Sequence, residues 1–193
     1  MKVKVKEDRR ILDDYFKVDR AVLQHEKFDG TMSEEIVRLN FDRGEASAAL
    51  IYNPQKDTII LVKQFRYPLY TREKKNAWTL EIVAGMIEEN DSPEETIQRE
   101  ILEETGYKPG NLKSLFGFYP SPGGSNEIIY LFYSEVNESD RIAPGGGATG
   151  EDENIEVVEL ARQQVFELLE NGAIVDAKTI IALQWFRNRK NFN

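Results

Sequence analysis

The sequence predicts an α/β sandwich, and three observations carry that prediction. Short apolar runs bounded by Gly, Pro, Asn and Asp recur along the chain, as expected of β-strands. One segment in the middle carries a complete set of helix start and stop signals. Two further helical patterns, at residues 161–170 and 177–189, follow the last strand-like run. Strands and helices around one apolar core indicate the α/β class.

The first 45 residues have the pattern of a small antiparallel sheet. Strand-like runs lie at residues 2–5, 15–25 and 36–41. Asp29-Gly30, between the last two, is a hairpin signal. The character of the sequence changes from Ala46 onward, so we expect an N-terminal β-sheet subdomain over residues 1–45 and a larger domain over residues 46–193. Residues 1–45 alone are too few for a robust core.

The pattern of residues 46–193 predicts a central sheet, with a loop before its last strand. The strands expected there are residues 49–52, 58–65, 79–83, 115–119, 128–136 and 155–160. Residues 137–154 form a polar, glycine-rich segment before the last strand. It lacks the G-K-[ST] ending of a phosphate-binding P-loop, so we interpret its glycines as turn residues.

The helix expected over residues 93–105 has clear signals at both ends. Ser92 is a good N-cap and Pro93 suits the first helical position. Glu95 stands three residues after Ser92, which completes a capping box. Gly106 is the natural residue to end the helix.

This helix carries a cluster of acids beside its apolar face. Ile97 and Ile101 share one face, which we expect to point into the core, and Glu104 lies close to that face. Glu100 and Glu103 are its neighbours at helical spacing. Each like-charged pair costs roughly 3 kcal/mol at ~5.5 Å and an effective dielectric of ~20. A solvated surface explains some acidic clusters, but a buried acid favours a bound cation, and carboxylates suit Mg²⁺.

Composition bounds the remaining function classes. The net charge is −9, so nonspecific nucleic-acid binding is not expected as the main activity. The chain has no cysteine, which excludes thiol catalysis, disulfides and thiolate metal sites. The first residues lack the apolar core of a signal peptide, and no apolar run approaches membrane-spanning length. We therefore expect a cytoplasmic protein that binds neither nucleic acid nor membrane.

The segment from residue 85 to residue 107 resembles the Nudix box, G-x5-E-x7-R-E-U-x-E-E-x-G-U, where U is a bulky apolar or aromatic residue. The positions that match are Gly85, Arg99, Glu100, Ile101, Glu103, Glu104, Gly106 and Tyr107. Asp91 departs from the pattern, because the family usually has Glu at that position. The resemblance implies a Nudix-type α/β/α sandwich and hydrolysis of a nucleoside diphosphate linked to another group.

The resemblance also implies a metal centre. Glu100, Glu103, Glu104 and the backbone carbonyl of Ala84 would hold Mg²⁺, with Mn²⁺ as an alternative. Arg99 precedes Glu103 by four residues and would orient a ligand, so we group it with the catalytic residues.

Over most of its length the chain resembles the bacterial branch that hydrolyses ADP-ribose and GDP-mannose. In that branch an acid of the loop before the last core strand acts as the base, which falls on Glu153, with Glu151 as the second choice. Four further residues match positions that contact or surround the substrate. These are Arg43, Arg66, Glu81 and Glu127. The branch is homodimeric and exchanges its N-terminal sheet, so the resemblance implies a homodimer.

The substrate implied is a nucleoside diphosphate sugar. The segment around the box and the C-terminal I-A-L-Q-W favour ADP-ribose, with AMP and ribose 5-phosphate as products. The triple-glycine loop and D-E-N-I-E-V favour GDP-mannose, or a broad range of nucleotide sugars. Two other classes stay open: a non-catalytic Nudix-fold ligand sensor, and a hydrolase of nucleoside triphosphates.

Overall fold

A computed structural model describes residues 1–148 and 154–189, which divide into two compact units. The first unit comprises Met1–Gly44 and Tyr119–Ile128. The second comprises Glu45–Phe118 and the described residues from Ile129 onward. The domain division expected from the sequence, at residues 1–45 and 46–193, stays a prediction; in the structure residues 119–128 group with the first unit.

The first unit is built on a three-stranded antiparallel sheet. Its strands, in spatial order, are β1 (Val3–Asp13), β2 (Lys17–His25) and β3 (Ile36–Asp42). Every residue of β1 is exposed, including Val3 and Val5. Residues 119–128 join this unit through β3. The amide of Phe41 donates to the carbonyl of Gly124 at 2.8 Å, and the hydroxyl of Ser125 donates to the carbonyl of Phe41 at 2.8 Å.

The second unit contains a seven-stranded mixed sheet and four helices. The strands are β4 (Glu45–Asn53), β5 (Thr58–Phe65), β6 (Trp78–Glu81), β7 (Val83–Met86), β8 (Lys113–Phe118), β9 (Ile128–Glu135) and β10 (Glu156–Ala161). The helices are α1 (Tyr67–Arg72), α2 (Pro93–Thr105), α3 (Arg162–Glu170) and α4 (Ala177–Asn188). The main path of the sheet runs β10-β5-β4-β9-β8, with β6 paired to β5 and β7 paired to β4.

Helices cover both faces of this sheet, as the nearly continuous burial of residues along β4 requires, because successive side chains of a strand point to opposite faces. On one face Leu50 and Leu61 pack with Val165 of α3 and Leu183 of α4. On the other face Ile51 packs with Ile97 and Ile101 of α2, among other buried residues. Each fully buried Leu or Ile side chain stabilises the fold by about 1.5–3 kcal/mol. The α/β/α sandwich predicted from the sequence is confirmed.

Two elements differ from the sequence prediction. Helix α1 was not expected, because it has only six residues and none of them is buried, so no apolar periodicity marks it. The strand predicted over residues 79–83 is divided at Ile82, where β6 leaves β5 and β7 begins to pair with β4. The amide of Ile82 donates to the hydroxyl of Thr179 at 2.9 Å instead of to a neighbouring strand.

Within the described residues, no helix is both long enough and apolar enough to cross a membrane.

Candidate active site

Helix α2 forms for the reasons its sequence indicates. The hydroxyl of Ser92 accepts from the amide of Glu95 at 3.2 Å, and the carboxylate of Glu95 accepts from the amide of Ser92 at 2.9 Å. Gly106 ends the helix in the left-handed conformation, with φ of 77°. Ile97 and Ile101 are fully buried in the core. The predicted bounds, cap and buried face of this helix are confirmed.

The three acids predicted to bind metal, Glu100, Glu103 and Glu104, differ in their burial. Glu104 is buried, with 2% of its surface exposed. The side chain of Glu100 is 13% exposed and that of Glu103 is 33% exposed. The three carboxylates therefore range from buried to partly exposed.

Gly85 of β7 leaves the space that Glu100 fills. A Cβ built at residue 85 would clash with the carboxylate of Glu100. Any other residue at position 85 would therefore displace this acid. The carboxylate lies against the backbone that directly follows Ala84, whose carbonyl is the predicted fourth ligand.

Arg99 links four acids, and together they form what we name the Arg99 group. Its guanidinium lies 2.9 Å from Glu100, 3.4 Å from Glu103, 3.2 Å from Glu88 and 3.7 Å from Asp91. Desolvation lowers the pKa of Arg99, but the charges of Glu100, Glu103 and Glu88 outweigh it, so the pKa is raised. Asp91, the departure from the Nudix pattern, still reaches Arg99.

A second cluster surrounds the buried carboxylate of Glu81, and we name it the Glu81 group. Arg66 donates to Glu81 through Nε at 2.9 Å and through Nη2 at 2.8 Å, in a bidentate fork. Lys178 also donates to Glu81, and to Asp176 at 3.0 Å. Burial raises the pKa of Glu81, but the hydrogen bonds from Arg66 and the charge of Lys178 outweigh burial, so the pKa is lowered.

Helix α4 holds the Glu81 group in place. Asp176 is its N-cap and accepts from the amide of Thr179 at 3.0 Å and from its hydroxyl at 2.6 Å. The same hydroxyl accepts from the amide of Ile82, next to Glu81. The pKa of Arg66 is raised, chiefly by its hydrogen bonds to Glu81 and further by the charges of Asp176 and Glu104. Glu104 of α2 therefore acts electrostatically on the Glu81 group.

The donor set on α2 fits a hard divalent cation. Its side-chain ligands are all carboxylates, and Mg²⁺ is bound through oxygen. Among the described residues no three acids or imidazoles already converge on one point as a metal-binding group. Arg99 already donates hydrogen bonds to the carboxylates of Glu100 and Glu103. Each carboxylate has two oxygens, so an arginine at one of them leaves capacity for a cation.

Two predicted substrate residues, Arg43 and Glu127, lie in the first unit and pair with each other. Nε of Arg43 lies 3.7 Å from Oε1 of Glu127. The guanidinium also lies over the ring of Phe16, 5.1 Å from its centroid. The structure thus gives both residues partners within their own unit. Their role toward substrate stays a prediction.

The predicted base residues, Glu153 and Glu151, lie outside the described residues. Sequence reasoning missed Lys178, Asp176 and Thr179, which complete the Glu81 group. The signal available was D-A-K-T at the start of the last helix, where an acid at the N-cap is followed by a lysine and a threonine. These three residues lie about a hundred positions from Glu81 in the sequence, so no local pattern could indicate the contact.

Comparisons with known proteins show the family of this chain. The NUDIX domain model matches residues 42–183. A GDP-mannose pyrophosphatase of Escherichia coli O1:K1 / APEC is 37% identical over 183 residues, covering 93% of this chain and 92% of the relative. One from Enterobacter sp. (strain 638) is 35% identical over 191 residues, covering 97% and 96%.

The fold also has a counterpart among solved structures. A crystal structure of an ADP compounds hydrolase superposes with a TM-score of 0.76 at 19% identity, covering 99% of this chain and 95% of that chain. This likeness supports the fold alone, whereas the family follows from the domain match and the two relatives. The chain belongs to the NUDIX family and is a Nudix pyrophosphohydrolase.

Proposed function

We propose that this protein hydrolyses the diphosphate of a nucleoside diphosphate sugar, releasing a nucleoside monophosphate and a sugar phosphate. The observation that carries the proposal is the arrangement at α2, where Arg99 pairs with Glu100 and Glu103 and the buried Glu104 acts through its charge on Arg66. The names of the relatives, which span nearly the whole chain, support the substrate class.

Nudix hydrolases generally use divalent cations such as Mg²⁺. We propose Mg²⁺ here, with Mn²⁺ as a substitute, held by Glu100, Glu103, Glu104 and the carbonyl of Ala84. When bound, such cations neutralise a diphosphate and activate water for attack on phosphorus.

The protein's own groups prepare this site. Arg99 restrains the carboxylates of Glu100 and Glu103, which limits the rotamers that each can adopt. Glu81 engages Nε and Nη2 of Arg66, which orients the guanidinium, while the Arg66 side chain stays 41% exposed. An oriented, exposed guanidinium can contact a diphosphate oxygen as charge develops there. Arg66 is therefore proposed to bind the diphosphate, as the sequence predicts.

Proton transfer from water needs a base, for which Glu153 and then Glu151 stay the predicted residues. A base must come within hydrogen-bond reach of the water that it deprotonates. The Glu81 carboxylate is a poor candidate for this task, because three hydrogen bonds from two cations already occupy it.

The relatives favour GDP-mannose as the sugar nucleotide, whereas the box region and the C-terminal helix favour ADP-ribose. The test is a panel of GDP-mannose, ADP-ribose, UDP-glucose, NADH and a nucleoside triphosphate with Mg²⁺, with products separated by chromatography. Preferred turnover of GDP-mannose or ADP-ribose assigns the substrate, and similar turnover of several sugars indicates a broad hydrolase. Cleavage of the nucleoside triphosphate alone would contradict the proposal. Failure to cleave any compound of the panel would also contradict it, and would favour a ligand sensor.

We further propose a homodimer, supported by the exposed apolar side chains of the N-terminal sheet, among them Val3, Val5, Val37 and Leu39. Sedimentation velocity of the full chain tests it, and a monomer at micromolar concentration would contradict it. Location in the cytoplasm and the absence of nucleic-acid and membrane partners stay predictions.

A further inference from the structure

The last turn of α2 is closed by a segment from the glycine-rich loop, residues 143–147. The amide of Gly146 donates to the carbonyl of Glu104 at 2.8 Å, and the amide of Gly147 donates to the carbonyl of Glu103 at 3.1 Å. These carbonyls belong to the last four of the helix, which have no partner within it. The backbones of two proposed metal ligands are therefore held from outside the helix.

In this contact the backbone of residues 143–147 lies directly against the backbone at the end of α2. Each of the two segments has a glycine, Gly145 or Gly106, where a side chain would not fit. A Cβ at Gly145, where φ is +74°, would lie 2.6 Å from the carbonyl carbon of Thr105 and 2.7 Å from the carbonyl oxygen of Glu104. A Cβ at Gly106 would clash with the carbonyl of Ala143. Neither clash involves a flexible side chain that could move away, so a substitution must shift one of the two segments.

The same segment is tied to the core at its other side. The carbonyl of Gly146 accepts from the amide of Ile155 at 3.3 Å. Ile155 is buried in the cluster that contains Ile97 and Ile101, on the inner face of α2. The peptide groups of Gly146 thus bridge the last turn of the helix and the residue that anchors the start of β10.

We propose that Gly145, together with the two amides that follow it, is a positioning element for Glu103 and Glu104. The inference rests on the proposed function, because it assumes that these acids bind a divalent cation. Side-chain direction on a helix follows the backbone, and the last turn is where a helix frays. Mg²⁺ requires near-ideal octahedral geometry, so small shifts of two ligands weaken its binding.

The test compares two glycine substitutions in the full chain. Gly145→Ala introduces the clash with α2, whereas Gly172→Ala has nearly the same φ, +77°, with nothing within 4 Å of its Cβ. Free Mn²⁺ is titrated by electron paramagnetic resonance, and Tm is measured without metal. Gly145→Ala should weaken Mn²⁺ binding about tenfold, as loss of a supporting contact does. Gly172→Ala should bind Mn²⁺ as the wild type does, although both substitutions lower Tm.

A turnover measurement separates positioning from a general structural defect. In Gly145→Ala the Mg²⁺ concentration for half-maximal rate should rise about tenfold, and kcat should recover at saturating Mg²⁺. Wild-type Mn²⁺ affinity in folded Gly145→Ala would overturn the inference alone. Failure of the wild-type protein to bind Mn²⁺ would overturn the proposed function and the inference with it.

Hydrogen exchange in the wild-type protein gives a test that needs no substitution. Because coupling between two events is reciprocal, a cation that depends on this contact must also stabilise it. Adding Mg²⁺ should slow amide exchange at Gly146 and Gly147. Unchanged exchange at both amides, with Mg²⁺ bound, would contradict the inference even if Gly145→Ala does not fold.

Discussion

The Arg99 group and the Glu81 group are both built from carboxylates and cations, yet their charge balance differs. In the Arg99 group one guanidinium serves four carboxylates. In the Glu81 group Arg66 and Lys178 balance Glu81 and Asp176. The first group retains excess negative charge that a divalent cation can neutralise, whereas the second is already neutral. We therefore expect the first group to bind a cation, and the second to hold the guanidinium of Arg66 in a fixed orientation.

The largest effect should follow from Glu104→Gln, which keeps the volume of the side chain but removes a ligand charge. Loss of a metal ligand removes several kcal/mol of transition-state stabilisation, so kcat should fall on the order of 10³-fold. Steady-state kinetics with the preferred nucleotide sugar measure this. The metal-free Tm should change little, and near-normal turnover would contradict the metal assignment.

Lys178→Met should act on stability, because it breaks the neutral group. Its side chain is 11% exposed and that of Glu81 is 2% exposed, so loss of the ammonium leaves a buried charge with one partner fewer. Breaking a buried pair costs about 3–5 kcal/mol in the free energy of unfolding.

Urea unfolding measures this cost. The matched control is Lys63→Met, whose partner Glu156 lies 3.9 Å away at the surface. That substitution should change stability by less than about 0.5 kcal/mol. If Lys178→Met and Lys63→Met lowered the free energy of unfolding equally, the structural role assigned to the Glu81 group would be wrong.

The Glu81 group should also make the free energy of unfolding depend on pH. The folded-state pKa of Glu81 lies below its ordinary value of 4.5, so its contribution is present at neutral pH. It is lost as the pH falls below 4.5 and through the folded-state pKa. The stability difference between the wild type and Glu81→Gln should therefore shrink in acid. Urea unfolding at pH 7 and at pH 3–4 checks this, and a difference that stays constant with pH would refute it.

The smallest effect should follow from Asp91→Glu, which restores the usual Nudix residue. Asp91 lies 3.7 Å from Arg99 in a partly exposed position, where an ion pair contributes about 0–1 kcal/mol. Activity should change less than about fivefold, and a larger gain would show that the shorter acid limits the Arg99 group.

Short-range sequence patterns were sufficient to predict helix α2 and the side chains that it carries. Ser92, Glu95 and Gly106 define α2 within its own sequence, and helical spacing alone brings Glu100, Glu103 and Glu104 together. The Glu81 group was not predictable in this way, because its members come from β6, α4 and the start of α1. Helix α1 itself has no buried residue from which a period could be read. Contacts that arise only from tertiary packing leave no periodic mark in the sequence.

The division of the first unit between residues 1–44 and residues 119–128 has a consequence for synthesis on the ribosome. Strands β1 to β3 leave the exit tunnel early, but Gly124 and Ser125, which bond to Phe41, are translated about 80 residues later. At about 5–20 residues per second that delay lasts several seconds. During this time Phe41 lacks the two hydrogen bonds that Gly124 and Ser125 supply. Strands β1 to β3 are therefore synthesised well before the segment that completes their unit.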